Sequence, residues 1–123
     1  MTQEESRLML EHRHRMELKD TMEQMAGLWC IFARTFHGSK YADAEHAFGV
    51  MVREYHESVD QVQLVRSAIK KFEDECLSTH CYEDAPKILK DIFEFSVSAA
   101  EEFAQLAAVA QKALGSGFVE VRK

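Results

Sequence analysis

From residue 18 to residue 36 the apolar positions Leu18, Met22, Met25, Trp29, Phe32 and Phe36 follow one another at intervals of 4, 3, 4, 3 and 4. That rhythm is the period of an α-helix burying one stripe, and it excludes a strand, whose side chains change face at every residue. It recurs in Phe48, Val52, Tyr55, Val59, Val62, Val65, Ile69, Phe72 and Cys76, where the Val62 to Val65 step is one residue short of strict alternation. A third seam runs through Ile88, Ile92, Phe95, Ala99, Phe103, Leu106, Ala110 and Ala113. With one proline and five glycines in 123 residues, little interrupts these runs, and a strand-and-turn fold lacks its breakers.

The punctuation that does occur sets the boundaries. Glu4 and Glu5 favour a helix start, where the dipole welcomes carboxylates, and Gly38 supplies a stop. Asp84 reads as an N-cap with Pro86 in the first turn, and Gly115-Ser116-Gly117 ends the last helix. The sequence therefore predicts an all-α antiparallel bundle of three long helices, about 4–36, 41–76 and 85–114. A break near Ser58, with Gln61 three residues on imitating a capping box, would make four; the absence of Gly and Pro between Val50 and Ala85 favours three. All 123 residues form one domain, with a short alternating tail at 116–123.

Short loops between long helices predict an up-down-up rod. Its expected core is Met22, Met25, Trp29, Phe32, Phe48, Tyr55, Ile69, Phe72, Ile92, Phe103 and Leu106. Counting outward from the first turn sets the Trp29 indole level with Gly49, so Gly27 and Gly49 read as close-packing positions. The third helix carries a second stripe, Phe93, Val97, Ala100, Ala104 and Ala107, more apolar surface than two neighbours cover. Such surplus marks an interface, and the expectation is a homodimer or a helical protein partner seated on that stripe.

Residue clusters that carry chemistry are sparse. Glu11/His14 and Asp43/His46 have the i, i+3 spacing of di-iron bundles, but their heights differ by 18 residues, about 27 Å along the rod. Cys76, His80 and Cys81 offer zinc-type donors without an evident fourth ligand, so they stand as weak metal candidates and otherwise as free thiols. Glu54, Glu57 and Asp60 lie three apart on the second helix, with Asp20 and Glu23 on the stretch expected to face them. Helical nucleotide pyrophosphohydrolases hold Mg²⁺ with clustered carboxylates of this kind, although the E-E-x-x-E run of that class is missing here. Cys30 beside Trp29 reads as a buried inert thiol, and no glycine-rich phosphate loop follows a strand.

A formal charge of −6 argues against general nucleic-acid binding, even with the basic cluster Arg7, His12, Arg13, His14 and Arg15, which glutamates interleave. Residues 1–20 are too polar for a secretory signal, no segment reads as transmembrane, and three unpaired cysteines suit a reducing, cytoplasmic setting. The functional expectation is a small soluble interaction protein, an adaptor or regulator with no catalytic residues and no cofactor, self-associating through the third helix. The alternative is a Mg²⁺-dependent nucleotide pyrophosphohydrolase using Glu54, Glu57 and Asp60.

Overall fold

The computed structural model describes residues 2–38 and 40–118. Those residues form an all-α three-helix bundle: α1 (Gln3–His37), α2 (Ala44–Phe72) and α3 (Ala85–Leu114), without strands. α2 does not break near Ser58; it runs on into a π-helical turn, Glu73–Leu77, whose Ser78 N–H donates to the Glu73 carbonyl five residues back at 2.9 Å.

The helix starts follow local chemistry. Thr2 Oγ1 accepts from the Glu5 N–H at 3.1 Å, and Asp43 Oδ1 accepts from the His46 N–H at 2.7 Å, each satisfying a first-turn donor. α2 therefore begins at Ala44 rather than 41. Asp84 precedes α3 but makes no side-chain capping bond; Pro86, lacking an N–H, leaves one fewer donor to satisfy there.

α2 and α3 pair antiparallel along their whole length. One end is closed by Tyr41, Ala47, Val109 and Ala113, with Val50, Met51 and Phe118 packed on them. The other is closed by Cys76, Ala85 and Ile88, with Phe72 and Ile92 beside them. α1 packs on α3 and has little or no contact with α2. It runs parallel to α3, bringing Arg34 against Gly115. Only its second half is seated, through buried Ala26 and Cys30, whereas every residue from Arg7 to Thr21 is exposed. Polar residues such as Glu11 and Arg15 interrupt the stripe there, and Leu8, Met9, Leu10, Met16 and Leu18 remain exposed.

The buried surface is made of small residues. Ala47, Ser58 and Ala68 are the buried positions of α2, and Ala85, Ala99, Ala104, Ala108 and Ala113 recur on α3. Small side chains let helix axes approach closely, but a buried methyl contributes only about 0.8 kcal/mol. Several expected core residues are consequently outside. Phe32, Phe48, Tyr55, Ile69 and Phe103 are exposed, while Met22, Met25, Trp29, Phe72, Ile92 and Leu106 are half-buried. The reason is phase: α3 sits on the small line of α2, one position round the helix from the bulky line that contains Phe48 and Tyr55. The glycine expectation is also corrected, since a Cβ at Gly27 or at Gly49 would meet nothing within 4 Å. No ring packs over Gly49, because the neighbour of α1 is α3.

Candidate functional site

The hairpin has two unlike faces, and α1 covers part of one. On that face the α2 residues His46, Val50, Arg53 and Glu54 and the α3 residues Gln105, Val109 and Lys112 meet Trp29, Phe32 and His37 of α1 around a cavity of about 340 Å³. Tyr41 closes one end; its N–H donates to Ser116 Oγ at 2.9 Å, and Ser116 in turn donates to the Lys112 carbonyl at 2.8 Å. Lys112 is only 3% exposed, and its ammonium lies 4.3 Å from the centre of the Tyr41 ring, a cation–π contact. Among the described residues it forms no ion pair; Arg53, from α2, is the other basic side chain on the cavity wall besides the histidines.

Glu54 lies on the cavity wall and also belongs to an acidic cluster. Carboxylate oxygens of Glu54, Glu57 and Glu102 lie within 4.8 Å of one another where α2 crosses α3. Glu54 Oε2 and Glu102 Oε2 are buried without a hydrogen-bond partner among the described residues. Glu54 Oε1 is 3.7 Å from Arg53 Nη2. Burial, then the neighbouring Glu57 carboxylate and Glu102, push the Glu54 pKa above the usual carboxylate range; Arg53 opposes the shift. Burial and then Glu57 push Glu102 the same way. Desolvated carboxylates this close repel one another and are relieved by a shared proton or by a cation. Oxygen-only donors suit a hard ion such as Mg²⁺, whose bonds of about 2.1 Å would require adjacent donors to draw in to roughly 3 Å.

Of the carboxylates singled out in the sequence, Glu54 and Glu57 are brought together and Asp60 is not. Each three-residue step turns a helical side chain by about 60°, so Asp60 lies about 120° round from Glu54 and is exposed. Glu102 takes its place from the other helix. It lies beside the apolar seam read from the sequence, three after Ala99 and four before Leu106, a spacing that could have flagged it. Asp20 and Glu23 are exposed on α1, which does not face that part of α2. The thiol candidates do not gather: Cys76 is fully buried at 0% exposure, its thiol pushed up mainly by burial and then by Asp84, while His80 and Cys81 are exposed. Cys30 is buried as a free thiol.

The opposite face of the hairpin is apolar and bare. α2 presents Phe48, Tyr55, Val62 and Ile69 at seven-residue intervals, Tyr55 being 53% exposed. Beside them α3 presents Leu89, Phe93 and Phe103, with Phe93 69% exposed. The helical angles place both sets on the side away from the cavity: on each helix they lie one way round from the mutual contact and the cavity residues lie the other way. Of the expected interface stripe, Phe93, Val97 and Ala107 are exposed and Ala100 is half-buried, but Ala104 is only 2% exposed. Ala104 and its neighbour Ala108 are buried and belong to no outer surface. No helix among the described residues is long and apolar enough to cross a membrane. No family model, curated protein or solved structure matches the chain, so these two faces alone bear on its function.

Proposed function

We propose that the chain is a helical interaction module whose working surface is the bare apolar face of the α2–α3 hairpin. One observation carries the reading: the bulky apolar side chains Phe48, Tyr55, Val62, Ile69, Leu89, Phe93 and Phe103 are exposed together, while the residues between the helices are small. Isolated exposed apolar residues are ordinary, but a contiguous face of this size marks a contact surface. Heptad spacing on α2 suits it to another helix, whose side chains would interdigitate along the line. A compact adaptor or regulator that works by association needs no catalytic group. The test is the mass of the complex returned by the tagged chain from its native lysate. That mass exceeds the chain's own 14.1 kDa and falls to it in the variant Tyr55→Glu/Phe93→Glu. A complex of unchanged mass in the variant overturns the reading.

A second reading draws on the orphaned oxygens of Glu54 and Glu102. In it the three carboxylates hold Mg²⁺ beside a cavity whose Arg53 and Lys112 attract phosphate oxygens and whose Trp29 offers a stacking surface for a base, as nucleotide pyrophosphohydrolysis would require. Mg²⁺ with a nucleoside triphosphate then raises the melting temperature of the native chain and not of Glu102→Gln; an equal response from both removes this reading.

A further inference from the structure

We propose that the occupant of the bare face is a second copy of this chain, the two hairpins packing face to face about a two-fold axis with their α2 helices antiparallel. This rests on the interaction reading and names its partner. The charge pattern of α2 selects it. Alongside Phe48, Tyr55 and Val62 runs a second line at seven-residue intervals, Glu45, Val52, Val59 and Arg66. Reversed, that line is its own complement: Glu45 of one copy meets Arg66 of the other, and Val52 meets Val59. A parallel pairing would set Glu45 on Glu45 and Arg66 on Arg66. Neither residue has an ion-pair partner among the described residues, whereas Lys70 and Lys71 nearby are engaged with Asp74 and Glu75 at 3.5 and 3.8 Å. The same symmetry brings Tyr55 close to Tyr55 at the axis, and an isologous contact of this kind closes at two copies.

The area agrees. An aromatic side chain buries roughly 150–250 Å², so half-exposed Phe48, Tyr55, Phe93 and Phe103 offer about 400 Å² per copy, and Val62, Ile69 and Leu89 add to it. Two copies together then bury on the order of 1,200 Å², the lower bound of specific protein interfaces. The result is a four-helix layer made from two hairpins, with each α1 and each acidic cluster on the outside.

The experiment uses the full purified chain. Sedimentation at roughly 1–100 µM is expected to give twice the 14.1 kDa chain mass, falling to one chain for Tyr55→Glu/Phe93→Glu with unchanged helical circular dichroism. Glu45→Arg is expected to weaken association about tenfold or more, and Glu45→Arg/Arg66→Glu to restore it. Spin labels at single cysteines (Ala44→Cys or His56→Cys, each with Cys81→Ser) read the direction. Antiparallel pairing puts the labels at residue 44 about 35 Å apart along the axis and those at 56 side by side; parallel pairing makes both distances short. Equal short distances, failure of the charge swap to rescue, or a native chain that sediments as a monomer each overturn the proposal. A monomeric purified chain whose lysate complex still depends on Tyr55 and Phe93 overturns self-pairing alone and leaves the interaction reading standing.

Discussion

The two faces of the α2–α3 hairpin divide the chain's resources oppositely. The face toward α1 holds the charges, an aromatic-walled cavity and three crowded carboxylates. The other holds bulky apolar side chains, with Glu45 and Arg66 alongside them. Between them lies a seam of alanine and serine, thin enough to bring both faces close to solvent. A helix pair can thus be tightly joined and still leave most of its apolar area unspent. The residues that join the two helices and the bulky apolar residues left exposed are different ones.

The first way to break that division is to strike the seam. Ile88, 1% exposed, is among the few large side chains fully inside, and Ile88→Ala is expected to cost about 2–5 kcal/mol in denaturant unfolding. Phe93→Ala, five residues on and solvent-facing, is expected to leave unfolding of the isolated chain within about 0.5 kcal/mol while weakening association. If the two substitutions cost the same in a chain shown to be monomeric, the faces are not divided as described.

A smaller effect, of opposite sign, belongs to the acidic cluster. The raised pKa values of Glu54 and Glu102 mean that the folded state holds these protons more tightly than the unfolded one. Their contribution to stability is therefore fully present below the unfolded carboxylate range and is lost as pH rises through the raised values. Glu102→Gln, which keeps shape and removes charge, is expected to raise stability at pH 7 by roughly 0.5–1 kcal/mol, with the gain shrinking as the solution is acidified. Unfolding of both proteins from pH 5 to pH 8 measures it; a variant less stable at pH 7 would show the cluster to be held favourably without a cation. The smallest change concerns the free half of α1. Thr2→Ala removes a cap usually worth about 1 kcal/mol, yet it is expected to fray only the first turns, visible in amide exchange, and leave the global melt in place.

The helices were legible in the sequence because a 4-3 rhythm states a period, and several ends followed from Glu4, Glu5, Gly38, Asp84 and Gly115; the caps at Thr2 and Asp43, which set the starts of α1 and α2, were not read. Which stripe faces which neighbour was not. α2 offers two adjacent lines, Ala47, Ser58 and Ala68 against Phe48, Tyr55 and Ile69, and apolarity alone favours the bulkier one. Close approach to the alanine-rich α3 favours the smaller, and this consideration prevails in the fold. The same ambiguity separates the outcomes for the stripe on α3: Ala104 is buried although Phe93 and Val97 are not. The carboxylate pair Glu54/Glu57 was readable from spacing on one helix. Glu102 was not, since its partners depend on how α3 is rotated against α2.

The seat of α1 has a mechanical consequence. Its buried contact is short, limited to Ala26 and Cys30, while some twenty residues project beyond it. At about 1.5 Å per residue the projection is roughly 30 Å long. A lever of that length magnifies whatever happens at its pivot: a tilt of about 10° at the alanines sweeps the tip through about 5 Å. A small rearrangement at the buried end of α1 is therefore a large one at its exposed, charged half.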